Sequence, residues 1–260
     1  MTVNRSDLNR LMTGSKAATS LHVVMILQAR MGSTRLPGKS LLPLAGQPLV
    51  SRVIERVKRS KLVDQFVLAT TGKPEDDPLS ALASQAGIAS FRGSENDLVD
   101  RYYQAAKKFS ADLIVRVPAD NPVPEAAEID RIIKYHIESQ NDFSSNYPDV
   151  FDNGYPDGIG AEVFGFAALH KVWETSNDPR NREHPHTNFY EHPDLFRLGT
   201  IECPAEFRRP DIILDVNTRE QYEFLAELYD TLYPRNPNFT ILEVIRWYDR
   251  EYNGRKGVRS

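Results

Sequence analysis

The sequence predicts an α/β protein with a doubly wound, mostly parallel sheet. Short apolar runs alternate with helical segments as far as about residue 139. The runs are continuous rather than alternating with polar residues, which is typical of strands buried on both faces. Each run also ends in polar or small residues. In this fold class the carboxyl ends of the strands are where ligands bind, so we expect the site there.

Helical spacing and turn residues place the elements of the first half. Val50, Val53, Ile54 and Val57 fall on one face of the first helix. Gly87 is placed to end the second helix, and Ser94 to cap the third. We predict strands at 22–27, 65–69, 88–91 and 111–117, and helices at 48–60, 78–86, 95–109 and 125–139.

From residue 142 the alternation changes, and we interpret residues 143–210 as an inserted arm that covers the acceptor side and forms a dimer surface. Residues 1–20 are polar and rich in small side chains, which predicts a mobile tail. We therefore expect a single domain at 21–260 that includes the arm. Its second half should contain strands at 162–164, 196–202 and 212–217, and helices at 166–175, 177–190, 218–232 and 239–252.

Composition excludes several classes of protein. The 260 residues carry a net charge of −4, which does not favour bulk binding of nucleic acid. No apolar run approaches the roughly 20 residues that a membrane-spanning helix needs, so we expect no membrane partner. Cys203 is the only cysteine, which excludes an internal disulfide and a cysteine-based zinc site. A cytoplasmic location is the resulting expectation.

The loop after the first strand is the strongest candidate for a binding site. It carries Arg30, Arg35 and Lys39 among small residues, and Glu55 is the only acidic residue between positions 28 and 60. Fixed cations on a small-residue loop at a strand end are suited to an anionic ligand. The spacing does not match a P-loop, because five residues separate Gly32 from the later Gly-Lys-Ser. A G-x-G-x-x-G dinucleotide motif is also absent from the sequence.

The segment QARMGSTRLPGK resembles the signature loop of CTP-dependent cytidylyltransferases that activate acidic sugars, and is closest to the spore-coat polysaccharide branch. The resemblance implies a nucleotide-diphospho-sugar transferase-like fold, CTP and a small acidic acceptor as substrates, and Mg²⁺ as cofactor. It also implies that the loop wraps the triphosphate. The loop residues implied are Ala29, Arg30, Gly32, Ser33, Arg35 and Lys39.

Carboxylates that follow later strands are the candidate metal ligands. Asp120 lies in Ala119-Asp120-Asn121-Pro122, where the family has Gly-Asp-x-Pro, and the resemblance gives it a catalytic and metal-binding role. Asp215 and Asn217 are two residues apart in a predicted strand, so both point to one face. An amide oxygen still binds a hard cation but carries no charge. The alternative roles are a turn cap for Asp120 and a helix cap for Asn217.

Two further strand ends are candidates for binding the base. The resemblance implies that the family reads cytosine near Arg92, which could donate to the base oxygen, and Thr70 ends the neighbouring strand. A surface role for Arg92 is the competing interpretation.

The acceptor-side candidates are Asp157, Glu162 and His184, which match the branch's Pro-Asp-Gly-x-Asp-x-Glu and Arg-Glu-His motifs. Gly160 stands where the branch has an aspartate. These side chains would bind hydroxyl, amino or carboxylate groups of the acceptor. A zinc site at His184 is disfavoured by its spacing from the next histidine. Alternatively, the histidines simply pair with acidic neighbours.

Together these features predict an Mg²⁺-dependent cytidylyltransferase that transfers CMP from CTP to an acidic sugar-type acceptor and releases pyrophosphate, for surface polysaccharide or glycoconjugate synthesis. A homodimer is expected. Three alternatives remain open: transfer to a phosphonate or phosphate acceptor, a nucleotide-sugar glycosyltransferase, and an inactive nucleotide-binding protein. The substitutions at Gly160 and Asn217 favour the last of these.

Overall fold

The computed structural model describes residues 21–148 and 151–253, so the tail predicted at 1–20 lies outside the described residues. A seven-stranded sheet forms the centre, and a two-stranded hairpin follows the first strand. The strands are β1 (Val23–Gln28), β2 (Pro43–Leu44), β3 (Gln47–Pro48), β4 (Gln65–Thr71), β5 (Ala89–Gly93), β6 (Leu113–Pro118), β7 (Phe143–Ser145), β8 (Glu162–Gly165) and β9 (Leu198–Gly199).

The order of strands in the large sheet is β5-β4-β1-β6-β8-β7-β9. Strands β5, β4, β1 and β6 are parallel neighbours. Strand β8 runs antiparallel to both β6 and β7, and β9 is again parallel to β7. The predicted mostly parallel α/β sheet is therefore confirmed, with β8 as the one strand of reversed direction in this sheet.

Helices cover both faces of the sheet. The side chains of β1 alternate between two cores: Met25 and Leu27 belong to one, and Val24 and Ile26 to the other. Burial of each such side chain contributes about 1.5–3 kcal/mol, which is why the strand is apolar throughout. The helices are α1 (Leu49–Val57), α2 (Asp77–Gln85), α3 (Leu98–Lys108), α4 (Ala126–Ser139), α5 (Phe166–Thr175), α6 (Pro179–Glu183), α7 (Thr187–Tyr190), α8 (Arg219–Leu232) and α9 (Ile241–Trp247).

Several predicted boundaries are wrong. Helix α3 begins after Asp97, whose carboxylate accepts from the N–H of Asp100 at 2.8 Å, so Ser94 is not the cap. The helix predicted at 177–190 is two short helices, because Pro185 lacks the N–H that a continuous helix needs. The strand predicted at 212–217 forms only an isolated bridge between Ile213 and Asp157.

Residues 143–210 contribute β7, β8 and β9 to the central sheet, together with helices α5, α6 and α7. The strand expected at 196–202 is reduced to the two residues of β9. A dimer surface on this segment stays a prediction. In the part of the chain that the structure describes, no helix combines the length and apolarity that crossing a bilayer requires.

His136 gives the fold a pH dependence. It is buried on α4, with its Nδ1 atom 3.0 Å from the Ser144 hydroxyl. Burial lowers the pKa of His136 to about 4. Since an unfolded histidine has a pKa of about 6.5, the unfolded chain binds this proton more readily between those values. Stability from this residue is therefore complete above about pH 6.5 and is lost as the pH falls towards 4.

We expect His136→Gln to flatten this dependence. Between pH 7 and pH 5, the free energy of unfolding of the parent should fall by about 2 kcal/mol more than that of the variant, measured by urea denaturation. His170→Gln, on the half-exposed histidine of α5, is the matched control and should keep the parent's pH dependence. Equal losses in the parent and His136→Gln would contradict the assignment.

Candidate active site

A cavity of about 560 Å³ lies at the carboxyl ends of the central strands. It is lined by the loop after β1, the segment before α3, the end of β6, strand β8 and the turn after α6. The predicted residues that line it are Ala29, Arg30, Ser33, Arg35, Lys39, Asp120, Asp157, Glu162, His184, Asp215 and Asn217. The predicted residues that do not line it are Gly32, Thr70 and Arg92.

The loop after β1 is held in place by hydrogen bonding to Asp76, a residue that sequence reasoning missed. Its buried carboxylate accepts from the N–H of Met31 at 2.7 Å and from the N–H of Thr71 at 3.1 Å. Burial works to raise the pKa of Asp76, but hydrogen bonds from the Thr71 hydroxyl and from these two N–H groups outweigh it and hold the pKa below its usual value. The only sequence signal is a pair of aspartates before a proline, with nothing to indicate which one is buried.

Lys39 joins three parts of the site. Its ammonium group donates to the Asp120 carboxylate at the end of β6 and, at 2.8 Å, to the carbonyl of Val216. The N–H of Val216 in turn donates to the carbonyl of Asp120 at 2.9 Å. The basic loop and the predicted metal ligands are therefore in direct contact.

Asp215, Asn217 and Arg35 form a connected group on the same wall. Arg35 donates to the amide oxygen of Asn217 at 2.6 Å, and the Asn217 amide donates to Asp215. Burial, and next the negative charge of Asp120, raise the pKa of Asp215. The helix cap is Thr218 rather than Asn217, because Thr218 makes the capping box with Gln221.

The oxygen atoms of this wall are of the kind that hard divalent cations prefer: two carboxylates and one amide oxygen. Both carboxylates are partly removed from solvent on this wall, and a shared cation would lower the cost of keeping both negative charges there. The residues therefore fit a divalent ion. Within residues 21–148 and 151–253 there is no group of three or more His, Cys, Asp or Glu side chains arranged to hold a metal.

Arg30 reaches across the mouth of the cavity. It donates to Glu183 at 3.3 Å and to the carbonyl of Glu95 at 3.4 Å. The Arg30 and Glu183 side chains are 31% and 55% exposed, so this ion pair contributes little to stability. Glu183 is therefore a partner that Arg30 can readily exchange for another anion.

The wall of the cavity formed by β6 and β8 contains a buried ion pair between these neighbouring strands. Arg116 of β6 lies opposite Glu162 of β8 in the sheet register, and its Nη1 atom donates to Glu162 at 2.6 Å. His186 lies 3.7 Å from the same carboxylate. Burial raises the pKa of Glu162, while the charge of Arg116 acts in the opposite direction. Sequence reasoning missed Arg116, although an arginine inside an apolar strand is a usable signal.

Gly160 has a local explanation. A Cβ atom at this position would lie 2.8 Å from Cγ of Asn146 and even closer to its amide oxygen. That oxygen accepts from the N–H of Ala161 at 2.8 Å, immediately before Glu162. In this chain the glycine makes room for the Asn146 side chain, which supports the backbone at the start of β8.

Arg92 and Thr70 were predicted to bind the base, but the structure places neither in the lining of the cavity. Arg92 donates to the carbonyls of Thr71, at 2.9 Å, and of Lys73, and pairs with Asp77. Its long side chain therefore turns back towards the end of the neighbouring strand β4 and contacts the turn before α2. The Thr70 side chain is completely buried. Neither reaches the cavity; other lining residues that sequence reasoning missed are Glu95, Asn96, Arg101, Asn121, Tyr147 and Glu183.

Comparison with known proteins agrees with this geometry. The profile of the family described as cytidylyltransferase matches residues 24–240. The spore coat polysaccharide biosynthesis protein SpsF of Bacillus subtilis (strain 168) is 32% identical, over 88% of this chain and 94% of that protein.

Two solved structures are similar to this one. A cytidylyltransferase from Leptospira borgpetersenii serovar Hardjo-bovis (strain JB197) has a TM-score of 0.83 and 30% identity, covering 90% of this chain and 96% of that one. A CMP:2-keto-3-deoxy-manno-octonic acid synthetase complexed with CTP has a TM-score of 0.62 at 17% identity, covering 81% and 99%, and so shares the fold. The chain belongs to the cytidylyltransferase family and is a CTP-dependent nucleotidyltransferase.

Proposed function

We propose that this enzyme transfers CMP from CTP to a small acidic sugar-type acceptor and releases pyrophosphate, with Mg²⁺ as cofactor. We further propose that it works as a cytoplasmic homodimer in surface polysaccharide or glycoconjugate synthesis. One observation carries the proposal. Three fixed cations and two interacting carboxylates surround a single cavity of about 560 Å³. The name of the Bacillus relative and the CTP complex of a structure with the same fold support it.

The three loop cations would bind the triphosphate. Each now donates to an oxygen atom of another segment of the cavity lining: Arg30 to Glu183, Arg35 to Asn217, and Lys39 to Asp120. Phosphate oxygens would replace these partners, and two guanidinium groups suit phosphate geometry. The backbone of the loop at Ala29 and Ser33, which line the cavity, would approach the same phosphates.

Asp120, Asp215 and Asn217 would hold the metal. When bound, Mg²⁺ would neutralise phosphate charge and polarise the reacting phosphoryl group. The protein's own contribution is to present these oxygens from two separate segments that Lys39 and Val216 hold together.

In the transfer step, a hydroxyl oxygen of the acceptor would lose its proton to solvent and attack the α-phosphorus of CTP in line with the bond to the β-phosphate. That bond breaks, and pyrophosphate leaves with its charge stabilised by the loop cations. Asp157, Glu162 and His184 would orient the acceptor, and the hydrogen bond from Arg116 would hold the Glu162 carboxylate in position. Positioning of this kind supplies much of the rate enhancement in phosphoryl transfer.

The proposal is tested by two measurements. Calorimetric titration with CTP, with and without MgCl₂, should show binding that the metal strengthens. Pyrophosphate release should then appear with 2-keto sugar acids and not with phosphonates or sugar phosphates. Turnover with phosphonates alone would replace the proposed acceptor class. Release of a nucleoside diphosphate from nucleotide sugars would indicate a glycosyltransferase instead.

Lys39→Met should lower kcat/KM for CTP by about 10²–10³-fold, because it removes a fixed cation from the proposed position of the phosphates. Steady-state pyrophosphate release measures the loss. Lys58→Met is the matched control: Lys58 is an exposed lysine that donates to the carbonyl of Ala86 and does not line the cavity. A loss in both variants, or in neither, would refute the role of Lys39.

Asn217→Asp should lower the Mg²⁺ concentration at half-maximal rate by about tenfold, because it adds a charge to the proposed metal ligands. The same charge lies beside Arg35 and should weaken CTP binding in the absence of metal. The control is Asn177→Asp, an exposed position outside the cavity. An unchanged Mg²⁺ dependence of the rate would remove Asn217 from the metal site.

A further inference from the structure

Arg101 is a buried cation in the wall of the cavity to which sequence reasoning gave no role. It lies on α3 and is 1% exposed. Its Nε atom donates to the carbonyl of Ser94 at 2.7 Å, and its Nη2 atom to the carbonyl of Glu95 at 3.0 Å. Both partners are neutral carbonyls. The third guanidinium nitrogen, Nη1, is completely buried and has no hydrogen-bond partner.

The backbone at Gly93 leaves space for the Arg101 side chain. A Cβ atom at Gly93 would lie 3.0 Å from Cγ of Arg101 and 2.7 Å from the ring of Phe91. The glycine therefore lets Arg101 pass close to the end of β5. A buried arginine that is confined in this way, with a free N–H group, costs folding free energy, so a role other than packing is indicated.

The Glu95 carbonyl connects Arg101 to the proposed phosphate site. The same oxygen accepts from Arg101 at 3.0 Å and from Arg30 at 3.4 Å. Burial lowers the pKa of Arg101, and the nearby charge of Arg30 acts in the same direction. Two guanidinium groups thus share one carbonyl on the cavity wall. The carboxylate that pairs with Arg30, Glu183, is more than half exposed and is easily displaced.

We propose that Arg101 is a positioning residue for CTP binding: it fixes the Glu95 carbonyl that orients Arg30 and adds a buried positive charge behind it. This inference rests on the proposed role of Arg30 at the triphosphate. Glu95 and Asn96 form the cavity wall beside the two arginines, and the carbonyl of Glu95 accepts from both. Without Arg101 that wall loses both of its guanidinium contacts from α3, and Arg30 loses its fixed acceptor.

A double-mutant cycle on the full chain tests the proposal, with CTP and CMP affinities measured by calorimetry in MgCl₂. We expect Arg101→Met to weaken CTP binding by about tenfold and CMP binding by less, because Arg30 acts on the phosphates. In an Arg30→Met background the same change should cost no more than about twofold, since coupled residues are not additive. Arg101→Lys keeps the charge but cannot reach both carbonyls, so it should restore part of the affinity.

The matched control is Arg56→Met. Arg56 is also a buried arginine that donates to two backbone carbonyls, those of Pro124 and Phe239, and it does not line the cavity. It should lower the melting temperature as Arg101→Met does, but leave CTP affinity within twofold of the parent. If Arg101→Met is too unstable to assay, the cycle is run with Arg101→Lys.

The outcomes separate the two proposals. If Arg30→Met does not change CTP affinity, the proposed role of Arg30 itself fails. If Arg30→Met weakens binding while the Arg101 variants bind like the parent, or weaken binding equally with and without Arg30, the positioning role of Arg101 is overturned. A larger effect on CTP than on CMP that disappears in the Arg30→Met background supports it.

Discussion

The site depends on one lysine that connects the ends of two parallel strands. Lys39 follows β1, its carboxylate partner Asp120 follows β6, and its carbonyl partner Val216 lies 177 positions away in the sequence. Adjacent parallel strands end at the same edge of a sheet, so this contact spans little distance in space. It holds the basic loop against the carboxylates, and the hydrogen bond between Val216 and Asp120 links the two carboxylate-bearing segments directly.

Two loop cations, Arg30 and Lys39, are already paired with carboxylates of the cavity lining, so nucleotide binding on the proposed mechanism is an exchange of partners. The pair between Arg30 and Glu183 is exposed and costs about 0–1 kcal/mol to separate. The Lys39 and Asp120 side chains are only 14% and 25% exposed, so their separation costs more unless Asp120 gains another positive partner. A cation bound by Asp120 would release Lys39 to the phosphates. Metal and triphosphate would then strengthen each other's binding, and by linkage the coupling is reciprocal.

The sequence predicted those features that depend on strand ends. Buried apolar runs followed by polar residues were sufficient to bring Arg30, Lys39 and Asp120 to one edge, because topology alone puts them there. Arg92 became a candidate because it lies near a strand end, and for the same reason the prediction placed its side chain in the cavity. The pattern indicates where a strand ends, but not the direction of a long side chain, and that of Arg92 turns back to neighbouring carbonyls. Asp76 depends on contacts with backbone N–H groups of another loop, which no local pattern specifies.

The sequence also did not predict which residues from distant segments form pairs. These pairs explain the departures from the family pattern. Arg116 and Glu162 meet because β8 inserts antiparallel beside β6, a register that neither segment reveals alone. Gly160 looked like a lost aspartate, yet Asn146 occupies the space that an aspartate would need and supports the backbone before Glu162.

Asn217 is similar. Its amide bonds both Arg35 and Asp215, whereas an aspartate would have no donor for Asp215. Both substitutions therefore serve contacts within this site, and neither by itself indicates that nucleotide chemistry has been lost. A motif position that differs from its family is best interpreted together with the side chain it touches, because the pair and not the single residue determines whether the site is intact.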